Sequence, residues 1–270
     1  MPPAKKRTRT RSYDSAKIRA AVLAQFGHVR EAVRTLEPEQ LALPTRLGTW
    51  TVRELAAHIT MAVDAVSRNL DRPEPAKLEV GLLDWPFATA ERAGGIDEDT
   101  RAIADAAEDL GALDDLYGRA AERMADTLSR AADERLVETR MGAMRLADHL
   151  VTRTVELVVH TDDLNAAVAG LDIPYDRQAL AACVRLLADT LAVKAPGGSV
   201  EVRIPPYAVV QCVEGPRHTR GTPPNVVETD PLTWIRLATG RTRWSEALDA
   251  ATVAASGERA DLSGLLPVLG

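Results

Sequence analysis

At 270 residues, with 46% apolar and 27% charged side chains, the chain has the make-up of a globular protein with material for more than one core, so two domains are expected. The net charge is −6, and the first residues hold Lys5, Lys6, Arg7, Arg9 and Arg11 without an acid, which leaves the body near −11 and speaks against a nucleic-acid-binding core. No apolar run reaches the length of a membrane-spanning helix and no hydrophobic stretch follows the basic residues, so neither a membrane span nor a secretory signal is expected, and a cytoplasmic location is.

In chain order, residues 1–13 read as a disordered, solubilising basic tail. Ser15 to Leu36 carries Ile18, Val22, Phe26, Val29 and Val33 at steps of three and four, which predicts a helix with one apolar face. Pro38 and Pro44 punctuate the connection. Thr51-Val-Arg-Glu54 has the pattern of a capping box, in which Thr51 and Glu54 satisfy orphan backbone donors reciprocally, so a second helix is expected to open there and run through His58 to Leu70. Residues 71–95 hold Pro73, Pro75, Pro86, Gly94 and Gly95 and read as a long excursion with no element of its own, a kind of segment that is usually functional or mobile. A third helix fits Asp97 to Ala132 with a break near Gly111, and a fourth fits Arg145 to Ala169, stopped by Gly170 and Pro174. Four helices with a long crossover between the second and third suggest a bundle, an architecture that builds metal sites from inward side chains on facing helices.

A further helix is expected over Asp176 to Val193, after which the character changes. Val200, Val202 and Ile204 alternate in Ser199 to Ile204, and Tyr207 to Val213 is a second β-rich run. Gly215 to Pro224 is a turn-rich loop. Val226-Val227 and Ala251 to Ala255 are short strand candidates, while Pro231 to Thr239, Trp244 to Leu248 and Leu262 to Leu269 look helical. The reading is thus mainly α: a helical bundle over 14–172 and a small α+β domain over 173–270. Cys183 and Cys212 have neither disulfide-framework nor metal-type spacing and read as two reduced residues of a cytosolic protein. Trp234 and Trp244 read as core anchors. Arg236, Arg241 and Arg243, close to where the two parts would meet, suit either an anionic substrate or solvated surface.

The fourth helix carries the candidate chemistry. His149, Arg153, Glu156, His160 and Asp163 follow steps of four, three, four and three, so one stripe is polar while Leu146, Leu150, Val151, Val155, Leu157, Val158, Val159 and Leu164 cover the other sides. Such a stripe ordinarily faces water, with Glu156 and His160 an ordinary surface pair. Two things argue otherwise. The flanks are so uniformly apolar that the helix should be central, where charges need partners. His58, among Val52, Leu55, Ala56, Ile59 and Val63, also points toward the interior of its own helix. Glu156 and His160 at i and i+4 have Cβ atoms about 5–6 Å apart, and with His58 they would give a metal two nitrogens and one carboxylate, with a coordination position left open. His149 lies about 16 Å along the axis from His160 and cannot join the same ion. Asp163 and Arg153 are candidates for outer partners or substrate contacts.

These residues resemble a known family. Gly48-Thr-Trp50-Thr-Val-Arg-Glu-Leu-Ala-Ala-His58, followed by Arg153-Thr-Val-Glu156-Leu-Val-Val-His160-Thr-Asp-Asp163-Leu164, resembles the mycothiol-dependent maleylpyruvate isomerases, members of the DinB-like metal-binding four-helix bundles. The resemblance spans residues 14 to 170. It implies zinc bound by His58, Glu156 and His160, with mycothiol as thiol cosubstrate and a small electrophilic molecule isomerised or joined to sulfur. The segment Asp230-Pro-Leu-Thr-Trp-Ile-Arg-Leu-Ala-Thr-Gly240, with Trp244, Ala251 to Ala255 and Gly257-Glu-Arg-Ala-Asp-Leu-Ser-Gly-Leu-Leu-Pro267, is similar to bacterial sterol-carrier-protein-like domains. Proteins pairing the two modules occur among actinobacteria, which suits the Ala- and Arg-rich composition. The alternative this second likeness implies is a non-catalytic carrier of an apolar small molecule, with the bundle as scaffold.

Overall fold

The structure, a computed structural model, describes residues 11–91, 96–107, 109–215 and 223–269. The basic tail lies outside the described residues up to residue 10; Arg11 pairs through Nε with Asp189 at 2.9 Å. Most of the loop expected over Gly215 to Pro224 also lies outside them.

Helix α1 (Ser15–Val33) opens where the Asp14 side chain accepts from the Lys17 amide, and it buries Ile18, Val22, Phe26, Val29 and Val33. After a single turn, α2 (Pro38–Leu41), helix α3 (Val52–Leu70) starts at the Thr51–Glu54 capping box, where Glu54 Oε2 accepts from the Thr51 amide at 2.7 Å. Such a cap contributes about 1 kcal/mol. The expected excursion over 71–95 is not without structure: it contains α4 (Trp85–Glu91), whose Pro86 sits in the first turn, where a missing N–H breaks no helical bond. Trp85 is buried. The helical stretch expected from Asp97 is broken near Gly111 into α5 (Ile96–Ala106) and α6 (Leu110–Arg130). Asp109 sets the break by capping the Ala112 amide at 2.8 Å, and Gly111 lies inside α6.

A hairpin follows that the sequence reading did not include. Strands β1 (Leu136–Thr139) and β2 (Gly142–Arg145) pair antiparallel, and Gly142 takes φ +122°, which a side chain would strain. Helix α7 (Leu146–Ala167) leaves directly from β2. Helices α1, α3, α6 and α7 pack into the bundle, and α5 lies on α3. Between them Phe26 stacks on Tyr117 at a centroid distance of 4.8 Å, and the buried Tyr117 hydroxyl donates to Ala56 O at 2.9 Å.

Helix α8 (Arg177–Lys194), capped by Asp176, packs on α1 and α7 and also on the C-terminal sheet, so it is the wall shared by both cores. The sheet is formed by β3 (Val200–Ile204), β4 (Ala208–Cys212), β5 (Val226–Thr229) and β6 (Val253–Ser256) in the order β4-β3-β5-β6. β3 runs antiparallel to β4 and parallel to β5, with Val202 opposite both Val210 and Val227. The alternation predicted for β3 is observed: Val200, Val202 and Ile204 are fully buried. Helix α9 (Pro231–Ala238) contributes Trp234, a core anchor at 1% exposure whose Nε1 donates to Val184 O. Helix α10 (Trp244–Asp249) follows. The helix expected over Leu262–Leu269 is reduced to one 3-10 turn, Ser263–Leu265, because Pro267 supplies no amide hydrogen and disfavours helical backbone in the residue before it. Cys183 and Cys212 are buried and unlinked. Among the described residues no helix is long and apolar enough to cross a membrane. The architecture is a helical domain followed by a small α+β domain.

Candidate metal centre

The polar stripe of α7 does not face water. His149 is 3% and Asp163 0% exposed, and Arg153, Glu156 and His160 are partly buried. The ordinary surface pair that such spacing usually means is therefore not what Glu156 and His160 form. The fold brings His58 of α3 to them: one potential ligand atom from each of the three lies within 4.8 Å of the others. His160 Nε2 is 3.4 Å from Glu156 Oε2, and the rings of His58 and His160 meet edge-on with centroids 5.0 Å apart. His149, two turns away, stays outside this cluster.

Burial, with repulsion from His160, pushes the His58 pKa down to about 3, so its imidazole is neutral at pH 7, the state in which it can ligate. Its Nδ1 lies 3.3 Å from Thr100 Oγ1, and Trp50 packs against the ring at 4.9 Å. Burial opposes ionisation of Glu156, but the hydrogen bond from His160 and the charge of Arg153 outweigh it and hold the carboxyl well below the usual range. For His160, burial works against charge, while hydrogen bonds to Asp163 and Glu156 prevail and raise its pKa.

Asp163 Oδ2 sits 2.9 Å from His160 Nδ1. A carboxylate there accepts from the Nδ1 N–H and fixes the ring, as outer partners of metal-bound histidines do, so that Nε2, which donates to Glu156, is the nitrogen free to ligate once it gives up its proton. Asp163 is held in turn by Arg241, with Nη2 at 3.0 Å, and by Arg46 Nε. The neighbouring Asp162 takes Arg46 as well and receives a two-pronged grip from Arg236, whose Nη2 is 2.6 Å away. Two of the arginines that the sequence left between substrate and solvent are thus tied to α7, while Arg243 is exposed and pairs with Glu246. Arg46 was not singled out from the sequence; it lies in a loop where only Pro44 and Gly48, at φ +60°, mark a turn.

Two imidazoles and one carboxylate, already ordered by neighbours and within reach of one ion, are a donor set suited to zinc. A cavity of about 420 Å³ opens beside the cluster, lined by its three residues together with Trp50, Trp85, Leu269 and Arg241. A second, of about 410 Å³, shares His58, Trp85, Thr89 and Glu156 with the first and runs along α7 past Arg153 to His149. Molecules can therefore approach the cluster from two sides.

Residues 22–165 match the family described as the mycothiol maleylpyruvate isomerase N-terminal domain, and residues 176–268 match that described as the bacterial SCP ortholog. Among solved structures, the crystal structure of the mycothiol-dependent maleylpyruvate isomerase has 17% sequence identity and a TM-score of 0.59, over 92% of this chain and 95% of that one. The structure of its variant with one histidine replaced by alanine gives the same values. At this identity the likeness speaks for the fold. No curated protein matches the chain significantly.

Proposed function

Because the chain belongs to the mycothiol maleylpyruvate isomerase N-terminal domain family, matched over more than half its length by residues 22–165, we propose that it is a zinc-dependent enzyme that activates the thiol of mycothiol toward a small electrophile, as an isomerase or an S-transferase. The observation that carries this reading is the meeting of His58, Glu156 and His160 within 4.8 Å at the junction of two cavities. These three residues would hold the ion. Zinc, when bound, lowers the pKa of a coordinating thiol enough to deprotonate it at neutral pH. The chain's own residues do the rest. His58 is kept neutral and Glu156 ionised, so both are ready to ligate without losing a proton. Asp163 orients His160. Trp50, packed on His58, and Trp85 give the cavity beside the cluster apolar walls, and Arg241 lies in the same wall.

The reading of a carrier for an apolar molecule draws on the match of residues 176–268. The inner face of that sheet is filled by α8 and Trp234, and the two cavities that reach the His58, Glu156 and His160 cluster lie in the helical part, so the enzyme reading is the better supported.

Metal content of the purified protein is the test, with wild type beside His58→Ala and Glu156→Gln. Near-stoichiometric zinc in the wild type, lost in both variants, is expected. Mycothiol consumption with electrophilic substrates should then follow zinc occupancy. A wild type that holds no zinc after reconstitution overturns the reading.

A further inference from the structure

The metal cluster uses only half of the polar stripe. Toward the N-terminal end of α7, His149 is 97% buried, and neither ring nitrogen has a hydrogen-bond partner. Arg153, its neighbour at i+4, has a side chain only 11% exposed. Its Nε and Nη2 donate to Thr152 Oγ1 at 3.2 and 3.1 Å, and the nearest carboxylate oxygen, on Glu156, is 3.7 Å away, beyond hydrogen-bond length. A guanidinium has five N–H donors in a planar fork. Burying it with one shared hydroxyl and one distant carboxylate is costly, and burying a histidine with no partner adds to the cost.

Both groups face the same space. The second cavity runs from Glu156 past Arg153 to His149, and Arg72 and Arg140 stand exposed along its lining. Its volume, about 410 Å³, suits a small organic molecule. The N–H donors at its inner end are the Arg153 fork and one ring nitrogen of His149, which burial keeps neutral, and the exposed Arg72 adds positive charge beside Glu138. The ligand chemistry that answers both is an anion with two coplanar oxygens, which a guanidinium fork receives through two parallel bonds.

We propose that this second cavity is a carboxylate subsite: Arg153 receives the carboxylate of a small organic acid in its fork, and His149 donates a further hydrogen bond to it. Glu156 and His58 also line this cavity, so an acid anchored at Arg153 extends toward the metal cluster. Its use as the electrophile's subsite rests on the thiol-activation reading; the thiol then enters by the other cavity, past Trp50. Binding of the carboxylate itself does not depend on that reading.

The test is calorimetric titration of the protein as purified with succinate, with its uncharged isostere succinamide, and with myo-inositol as a neutral polyol. Zinc is measured on the same samples. Succinate should bind, with succinamide at least about tenfold weaker, because charge-assisted bonds are roughly twice as strong as neutral ones. Arg153→Met should weaken succinate binding by about tenfold or more with zinc content unchanged. Arg153→Lys, which keeps the charge but not the fork, should fall between the two. His149→Phe should weaken it several-fold. Succinate that binds Arg153→Met as well as wild type, or myo-inositol bound in its place, overturns the proposal. So does a wild type that ignores succinate at millimolar concentration. Melting temperatures of the variants separate loss of the site from loss of the fold. Protein that stays zinc-free after reconstitution and binds succinate sinks thiol activation and leaves the subsite standing, and zinc-loaded protein indifferent to succinate does the reverse.

Discussion

On α7, Glu156, His160 and Asp163 are linked to one another, and Asp163 is gripped by Arg46 and Arg241 from elsewhere in the chain. By contrast, His149, two turns before Glu156, has no hydrogen-bond partner, and Arg153, one turn before it, has only Thr152 and the more distant Glu156. The two halves of one stripe share a helix, a depth of burial and a polar character. They differ in whether the fold supplies the answering groups. The saturated half orders its own side chains. The unsaturated half is left in a state that an apolar interior would not tolerate, which is what a surface kept for a visiting molecule looks like.

Stability measurements on the metal-free protein can break this contrast. The largest effect is expected for Asp163→Leu. It leaves Arg241, Arg46 and the Nδ1 of His160 without their common acceptor, and it should cost about 3 kcal/mol in denaturant unfolding, the low end for a broken buried pair because both guanidiniums keep some water contact. A loss under about 1 kcal/mol would put Asp163 in the same class as Arg153. Arg153→Met should act in the opposite direction and stabilise by about 1 kcal/mol, since it replaces an under-compensated buried charge with an apolar chain of similar length. A clear loss of stability there would mean that Glu156 and Thr152 satisfy the guanidinium after all. His149→Leu should raise stability by about 0.5 kcal/mol, visible as a small increase in Tm, because no bond is given up. A fall in Tm would show that an ordered water or a neighbour holds the ring.

The finest effect concerns pH. Burial would raise the Asp162 pKa, but the bonds from Arg236 and Arg46 outweigh it, and the folded value lies below the ordinary one. A depressed carboxyl contributes stability that is complete above its unfolded pKa of about 3.9 and is lost as pH falls through the folded value. The stability gap between wild type and Asp162→Asn should therefore shrink between about pH 5 and pH 3. A gap that widens in acid reverses the sign and removes Asp162 from the saturated half.

Much of this was legible in the sequence. The faces of α1 and α3 follow from apolar spacing, and the start of α3 from Thr51 and Glu54. Glu156 and His160 share a face by helical geometry alone. What was not legible has physical causes. Strands of four residues, as in β1 and β2, are too short for alternation to stand out, and α4 begins with a Trp-Pro pair inside a proline-rich stretch. Arg46 has no periodicity to mark it, because its partners lie more than 110 residues away. The apolar flanks of α7 argue that its stripe is covered, but the elements that cover it come from distant parts of the chain. Burial by remote elements is the information that a local pattern lacks.

Asp162 and Asp163 are adjacent on a helix of the first matched segment, while Arg236 and Arg241, which grip them, belong to the second. The two segments are accordingly not interchangeable parts. A chimera that joins residues 22–165 to another domain of the C-terminal type inherits two buried carboxylates, and it keeps His160 in register only if the incoming domain presents arginines at those two places. Exchange of modules, whether in a laboratory or along a lineage, is limited here by a handful of ion pairs rather than by the shape of either fold.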